Sequence, residues 1–289
     1  GLGALQLVLN RGQRLDWFDS TEIILASASG VVALYFFILH SFATNRPFIA
    51  WSVLRDRNLV VGMILLMSYA FISLAPLILI PTMLQDLRGF ELVTIGLLLI
   101  PRGIAQLATI TVMSVLIDRI DQRILIGAGF IGFALGSKLM TNFNLDIGVW
   151  TLLLPNLVHG VSMGLISVPI LSVAYATISP HLRTHAATLT GLSYTIASSM
   201  GVAVSVVVLT RSSQTSREEL AAHVVPTNEL LRYPEYAIGW NLDVVENLAA
   251  IYGEIGQQAA MIGYVNVYWM LTLLCLCVFP LIFLVRMKR

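Results

Sequence analysis

The chain has 289 residues, of which 57% are apolar and only 11% are Asp, Glu, Lys or Arg. Because charged residues make up about a quarter of a soluble domain, a soluble fold of this length would lack the charges to cover its surface. The formal net charge is +1 and no basic patch is interleaved with aromatic residues, which excludes a nucleic-acid-binding protein. Composition therefore predicts an all-α integral membrane protein.

Apolar residues form one short run at the start of the chain and seven long runs after it. The short run is 1–9, and the long runs are 23–43, 59–83, 93–117, 124–141, 150–177, 186–209 and 263–285. A helix needs about 20 apolar residues to cross roughly 30 Å of hydrocarbon. The pattern therefore predicts membrane-spanning helices in the long runs. The chain opens inside an apolar stretch, so we expect 1–9 to be the end of a truncated span.

Lys and Arg in the short loops predict the orientation of these spans. One side receives most of the basic residues, namely Arg46, Arg55, Arg57, Arg119, Arg123, Arg183, Arg286, Lys288 and Arg289. The other side receives most of the acids, including Asp16, Asp19, Glu22, Asp86, Glu91 and Asp146. We therefore expect the first side, with the C-terminus, to be cytoplasmic.

The longest connection, at about 210–262, is predicted to be an outer loop. Ser216 and Glu219 have the spacing of a capping box, which is typical of a helix start. The second part, from about Leu242, has few turn residues and could be a helix that continues into the last span. The alternative is a loop without a specific role.

Polar residues form stripes on three predicted spans, where offsets of three, four and seven place them on one helix face. Their most polar members are the candidates for a substrate cavity: Arg102, Gln106, Asn156, His159, Met163, Tyr194 and Ser198. These faces are poorly compatible with lipid, so we expect them to turn together toward a central cavity shared with another half of the protein, whereas the Leu-rich faces of 263–285 and Cys275 do not.

Four of these candidates have a competing structural interpretation. For Tyr194 and Ser198 the alternative to lining a cavity is helix–helix contact, which small and hydroxylated residues also make. Arg102 either handles substrate at the cavity or anchors a Pro-kinked helix to its neighbours, since a cation inside a span costs several kcal/mol unless it faces protein or water. His159 either relays protons or is a packing residue beside the small-residue face of Gly160 and Gly164. The glycines at 129, 132 and 136 are interpreted as packing residues alone.

Several segments resemble one known family. They are NRGQRLDWF at 10–18, PRG at 101–103, LIDRIDQR at 116–123 and QQAAMIGYVNVYW at 257–269. Together they are similar to the C-terminal part of the fourteen-span EmrB/QacA drug:proton antiporters of the major facilitator superfamily, in which two extra spans separate two six-helix halves. The resemblance implies an extra span and cytoplasmic connector at 10–58, followed by the C-terminal six-helix half at 59–289.

The family resemblance also implies a function. It implies proton-driven efflux of small hydrophobic or cationic compounds across the bacterial inner membrane, without a cofactor. The implied partners are membrane lipid and the N-terminal half of the same transporter, and the resemblance leaves open a periplasmic adaptor protein with an outer-membrane channel. No Asp or Glu lies deep inside a span. Since the family's protonating carboxylates lie mainly in the N-terminal half, we do not expect the coupling site in these residues.

The segment LIDRIDQR matches the superfamily's loop motif, which implies conformational gating by Asp118, Arg119, Asp121 and Arg123. The alternative is a solvated loop that only sets topology. Ser114 and Val115 stand where the motif has Gly and a basic residue, and Asn10 stands where the fourteen-span group has Asp. Gly191 and Tyr194 stand where relatives such as EmrB carry Asn and Arg, which leaves the role of that Arg unfilled here.

Two other classes of function compete with transport. One is a non-transporting membrane sensor or scaffold. The other is a membrane-embedded acyltransferase, but the sequence has no Ser/His/Asp arrangement, and His181 with His185 is the nearest approach to a catalytic cluster. Cys275 and Cys277 point in different directions on a helix, so we expect lipid-facing or packing residues and neither a disulfide nor a metal site.

Overall fold

The computed structural model describes residues 1–12, 15, 17–44, 51–224 and 245–285. Within these ranges the regular structure is entirely helical. The α-helices are α1 (Leu2–Arg11), α2 (Thr21–Ala43), α3 (Arg57–Arg88), α4 (Leu92–Leu116), α5 (Gln122–Met140), α6 (Val149–Tyr175), α7 (Arg183–His223) and α8 (Val245–Val278). Short 3-10 helices occupy Trp17–Asp19, Trp51–Arg55, Pro180–Leu182 and Phe279–Leu284.

In the described part of the chain, 7 helical segments are long and apolar enough to cross a membrane. They coincide with the seven long apolar runs of the sequence, so the prediction of an all-α integral membrane protein is confirmed. Arg46, Arg286, Lys288 and Arg289, which contributed to the predicted orientation, lie outside the described residues, as does 225–244 of the predicted outer loop.

Helix α3 shows how polar residues set the ends of an apolar span. The Asp56 carboxylate accepts a hydrogen bond from the backbone N–H of Leu59 at 3.0 Å, which satisfies one of the donors that a helix start leaves open. At the other end Gly89 adopts a φ of 64°, and its N–H donates to Gln85 and Leu84. A left-handed residue of this kind ends a helix, and glycine adopts it without steric cost. The same chemistry begins α5, where the Asp121 carboxylate accepts from the Arg123 N–H at 2.9 Å.

The main core lies between α3, α5, α6 and α8. Its largest fully buried side chains include Tyr268, Phe130 and Phe133. Helix α4 packs mainly on α6, and α7 packs on α3 and α8. Helix α1 packs on α2 and α7. Cys275 belongs to this core and Cys277 is exposed, as expected of residues that point in different directions.

Glycines allow several of these helices to approach closely. A β-carbon added to Gly201 would collide with the backbone carbonyl of Phe71 on α3. Added to Gly160, it would collide with the Arg102 carbonyl on α4. The α5 glycines at 129, 132 and 136 meet Ile166, Ser162 and His159 of α6 in the same way. Such small residues are typical of membrane helix contacts, and the packing interpretation of the α5 glycines is confirmed.

The structure differs from the sequence-based expectation in the first part of the predicted outer loop and agrees with it in the second. Helix α7 has 41 residues, so 210–223 extends the preceding span. Helix α8 has 34 residues, so 245–262 is a helix that continues into the last span, as expected of the segment from about Leu242. At 1.5 Å per residue α7 is about 60 Å long, roughly twice the hydrocarbon thickness. Ser216 therefore lies inside α7 and does not begin a new helix.

Contacts between the two extensions explain why these polar segments are helical. Asn266 donates to the Ser212 hydroxyl, and the Arg217 guanidinium lies 4.1 Å from the centre of the Tyr252 ring. Gly263 removes the side chain that would otherwise collide with Ser213. Pairing of α7 with α8 thus satisfies polar side chains that hydropathy assigns to a loop.

Candidate functional site

Arg102 is the central residue of a buried polar cluster. It lies inside α4 and is only 4% exposed. Its Nη2 donates to the Ser73 carbonyl of α3 at 3.2 Å and lies 3.3 Å from the Met163 sulfur of α6. The Tyr69 and Tyr268 hydroxyls are within electrostatic range of the guanidinium. Arg102 therefore joins α4 to two neighbours, as the anchoring interpretation predicts.

A proline lies close to the backbone carbonyl of α3 that serves as this acceptor. Pro76 lacks an N–H, so the carbonyl of Ile72, four residues before it and next to Ser73, loses its helical partner. Carbonyls beside such an interruption accept hydrogen bonds from neighbouring helices, which is how membrane helices tolerate proline. The contact lets a buried guanidinium satisfy one of its donors without an acidic partner.

Two residues of the polar stripe of α6 are fully buried. Asn156 and His159 are both 0% exposed. Asn156 donates to the Leu152 carbonyl of its own helix at 2.9 Å. His159 Nε2 lies 3.2 Å from the Ser137 hydroxyl of α5, and its ring stacks on Phe133 with 4.1 Å between centroids. This environment is that of a packed, hydrogen-bonded histidine. A role of His159 in proton relay stays a prediction.

Tyr194 and Ser198 lie on α7, next to α3. The Tyr194 side chain is 36% exposed, and its ring centroid lies 6.4 Å from that of buried Tyr69. Ser198 is buried and donates to the Thr195 carbonyl of its own helix. Tyr69 thus neighbours half-exposed Tyr194 of α7 and also interacts electrostatically with buried Arg102.

Several of the predicted site residues are close to one another in the structure. Arg102 and Met163 are in direct contact, and His159 is within electrostatic range of Arg102. Gln106 is half-buried where α4 meets Gly164 of α6. The expectation that all these faces line a cavity shared with another half stays a prediction.

Tyr69, Ser73 and Tyr268 are cluster residues that sequence reasoning missed. Tyr69 and Ser73 are four residues apart and so lie on one face of α3, a short polar stripe within an apolar run. The four-residue spacing of Tyr69 and Ser73 was the feature of the sequence that could have identified them as site residues. Tyr268 shares its face of α8 with Tyr264 and Thr272, four residues to either side, so the same kind of spacing was available there.

A separate apolar groove of about 390 Å³ lies between α3, α7 and α8. Its lining includes Phe71, Met67, Met200 and Leu274. Of the α3 residues in this lining, Ile64, Met67 and Phe71 are on the face away from Tyr69 and Ser73.

The four residues of the charged loop have two different environments. Asp118 and Arg119 are exposed, and neither side chain forms a hydrogen bond or ion pair within the described residues. Asp121 caps α5, and the Arg123 guanidinium donates to the Val285 carbonyl beyond α8. The loop is therefore anchored through its second half.

Other contacts at the same end of the bundle support this attachment. Arg57 donates to the Leu284 carbonyl at 3.2 Å, next to the carbonyl that Arg123 binds. Gln122 donates to Ser172 of α6, and Thr177 donates to the Asp56 carboxylate at 2.7 Å. Two arginines from the starts of α3 and α5 thus hold the end of the last helix. We call Arg57, Arg123 and the carbonyls of Leu284 and Val285 the inner clamp.

The buried cluster and the inner clamp have groups that can bind a ligand and helices that can change position. The described residues include no group of three or more His, Cys, Asp or Glu able to hold a metal ion. What they offer is a buried cation, several phenol hydroxyls and a clamp of charged hydrogen bonds. These features fit recognition of a ligand and a change of conformation better than covalent chemistry.

Comparison with known proteins supports a transport family. No family model matches the chain. The fatty acid resistance protein FarB of Neisseria gonorrhoeae is 26% identical over 99% of this chain and 57% of its own length. The multidrug export protein EmrB of Escherichia coli K12 is 24% identical over 93% of this chain and 53% of its own.

The colistin resistance protein EmrB of Acinetobacter baumannii is 24% identical over 92% of this chain and 50% of its own length. The chain thus spans about half the length of the curated relatives it matches. The similarity to EmrB covers nearly all of the helices described above. It supports an assignment of the chain to the EmrB/QacA type within the major facilitator superfamily.

Proposed function

We propose that this chain is part of a secondary active transporter that exports small hydrophobic or cationic drugs and toxic compounds, driven by the proton gradient. The observation that carries the proposal is the similarity to multidrug export protein EmrB over 93% of this chain. The relatives are about twice as long, so we propose that the chain works with an N-terminal half of the same transporter.

The geometry supports transport by rearrangement of helices. Transporters of this type move a substrate by rocking two bundles around a central site. Here α3, α4 and α6 are joined by Arg102, and the inner clamp joins α3, α5 and the end of α8. Such contacts make the bundle a unit that can move as one body. Every acid of the described helices lies near a helix end or, like Glu254, in the part of α8 before the predicted span, so we propose that the coupling carboxylate lies elsewhere in the transporter.

We further infer the cellular setting from the same features. The basic residues Arg55, Arg57, Arg119, Arg123 and Arg183 lie at one end of the bundle, which we propose is the cytoplasmic face of the bacterial inner membrane. The relatives are transporters, and we propose that this chain likewise has no enzymatic activity. A periplasmic adaptor and outer-membrane channel are a further proposal, based on the resemblance to EmrB.

Accumulation of a fluorescent drug in cells tests the proposed function. The full-length protein that contains this chain is expressed in bacteria lacking their major efflux pumps, and ethidium fluorescence is followed with and without a protonophore. We expect several-fold lower accumulation, restored to the control level by the protonophore. Equal accumulation in expressing and control cells, with protein present in the membrane, would argue against drug efflux and favour a sensor or scaffold.

A further inference from the structure

We propose that a pocket between the outer extensions of α7 and α8 binds the headgroup of a membrane phospholipid, with its phosphate on Arg217 and with glycerol as the preferred head alcohol. The inference goes beyond drug export, because it assigns to this chain a lipid site separate from the buried polar cluster and from any transported substrate.

The pocket, which we call the outer pocket, has a volume of about 350 Å³. Helix α7 contributes polar side chains to its lining, and α8 contributes small residues such as Gly256 and Ala260. The small residues of α8 leave space between the two helices. Ligand pockets have volumes of roughly 300–1,000 Å³, so the outer pocket is large enough for a phospholipid headgroup.

Arg217 is the one charged side chain in the part of this lining that the structure describes. Its Cζ lies over the Tyr252 ring, 4.1 Å from the ring centre, and its Nη2 is 3.9 Å from the position of a β-carbon on Gly256. Its Nε is shielded from solvent without a hydrogen-bond partner, and Arg217 forms no ion pair within the described residues. Glu218 and Glu219, which follow it, are exposed and outside the lining.

This placement prepares the guanidinium for a phosphate. Contact with an aromatic ring uses one face of the guanidinium, whereas its N–H donors lie in the plane and stay available. Paired N–H donors in a fixed fork match two oxygens of a phosphate. Because the Tyr252 ring already restrains the side chain of Arg217, a bound phosphate would order it at little further cost.

The outer pocket lies at the level of the lipid headgroups. Its lining starts at Leu209, the last residue of the predicted span 186–209, and on α8 it includes Tyr264, next to the start of the predicted span 263–285. Arg217 is about 12 Å further along α7 than Leu209. The headgroup region extends about 5–7 Å beyond the hydrocarbon, and a long arginine side chain reaches back to it.

The uncharged polar groups of the lining favour glycerol over ethanolamine. Thr210, Ser213 and Gln214 add hydroxyl and amide groups, which can both donate to and accept from the hydroxyls of a glycerol headgroup. An ammonium headgroup can only donate, and the described lining includes no carboxylate. Glu254 lies on the opposite face of α8, where it accepts from Gln258 at 3.0 Å. The lining therefore favours phosphatidylglycerol.

Native mass spectrometry of the purified full-length protein counts bound lipids and tests the proposal. The protein is titrated separately with dioleoylphosphatidylglycerol, dioleoylphosphatidylethanolamine and inorganic phosphate. We expect one phosphatidylglycerol to bind about tenfold more tightly than phosphatidylethanolamine, and inorganic phosphate to bind far more weakly than either lipid. Equal affinity for the two lipids would overturn the headgroup preference, and tight binding of inorganic phosphate would overturn the lipid as the ligand.

Three variants locate the tight site. Arg217→Gln should weaken phosphatidylglycerol binding about tenfold, because hydrogen bonds to a charged group are lost. Arg211→Gln is the matched control, since Arg211 is an exposed arginine of the same helix outside the lining. Its affinity should equal that of the wild type. Ala260→Leu keeps Arg217 but fills the space, and it should also weaken binding.

Two results from these variants would overturn the assignment to the outer pocket. Equal loss in Arg217→Gln and Arg211→Gln would mean that the lipid responds only to the surface charge of α7. Unchanged affinity in Ala260→Leu would mean that the lipid binds elsewhere. These measurements need no transport, so they can succeed or fail independently of the efflux assay.

Discussion

Replacement of Gly201 by alanine is expected to separate α3 from α7 and to lower the stability of the protein strongly. The added methyl group would collide with the backbone carbonyl of Phe71, which cannot move without its helix. Overpacking of this kind costs about 1–3 kcal/mol, and occasionally more. The shift would also pull Tyr194 away from Tyr69, whose ring centroids lie 6.4 Å apart.

Thermal unfolding of the purified full-length protein measures this effect. We expect the Tm of Gly201→Ala to fall by several degrees. Gly191→Ala is the matched control, because Gly191 lies on the same helix with nothing within 4 Å of an added β-carbon. Its Tm should stay the same or rise, since alanine favours a helix over glycine. Equal Tm values for the two variants would mean that α3 and α7 do not touch at Gly201.

Replacement of Arg123 by glutamine is expected to slow transport about tenfold without reducing the amount of protein in the membrane. The variant loses the charged hydrogen bond from Arg123 to the Val285 carbonyl but keeps the Asp121 cap of α5, which uses a backbone N–H. A hydrogen bond to a charged group contributes about 1.5–3 kcal/mol, a factor of at least 10 between two conformations. Transport requires both conformations to be populated, so the rate should fall.

Arg119→Gln is the matched control for this variant. It removes the same charge from the same loop, but Arg119 is exposed and its side chain makes no contact within the described residues. We expect a transport rate close to that of the wild type. If both variants slow transport equally, the charge of the loop matters and the inner clamp does not. If neither does, the loop only sets topology.

Hydropathy predicted the spans because the thickness of the bilayer requires about 20 consecutive apolar residues in each membrane-spanning helix. All seven long apolar runs became helices, and Pro76 and Pro101 lie inside theirs. Hydropathy could not predict that α7 continues to His223. That extension depends on polar contacts with α8, such as Asn266 with Ser212, which join residues far apart in sequence.

The sequence predicted those residues of the candidate site whose side chains are energetically unfavourable in lipid. Arg102, Asn156 and His159 were selected on that ground, and all three are buried inside the bundle. Tyr69 and Tyr268 were missed because a tyrosine in a span is compatible with packing or with the membrane interface. The cost of placing a residue in lipid could not distinguish Arg123 from Arg119, because both lie in the loop. Only the fold brings the Val285 carbonyl to Arg123.

Proton-driven transport in proteoliposomes tests the central claim most directly. The purified full-length protein is reconstituted, a pH gradient is imposed, and movement of ethidium is measured with and without a protonophore. We predict that ethidium moves against the direction of proton flow, and that the protonophore abolishes this movement. Identical rates with and without the gradient would contradict the assignment of this chain to a proton-coupled exporter.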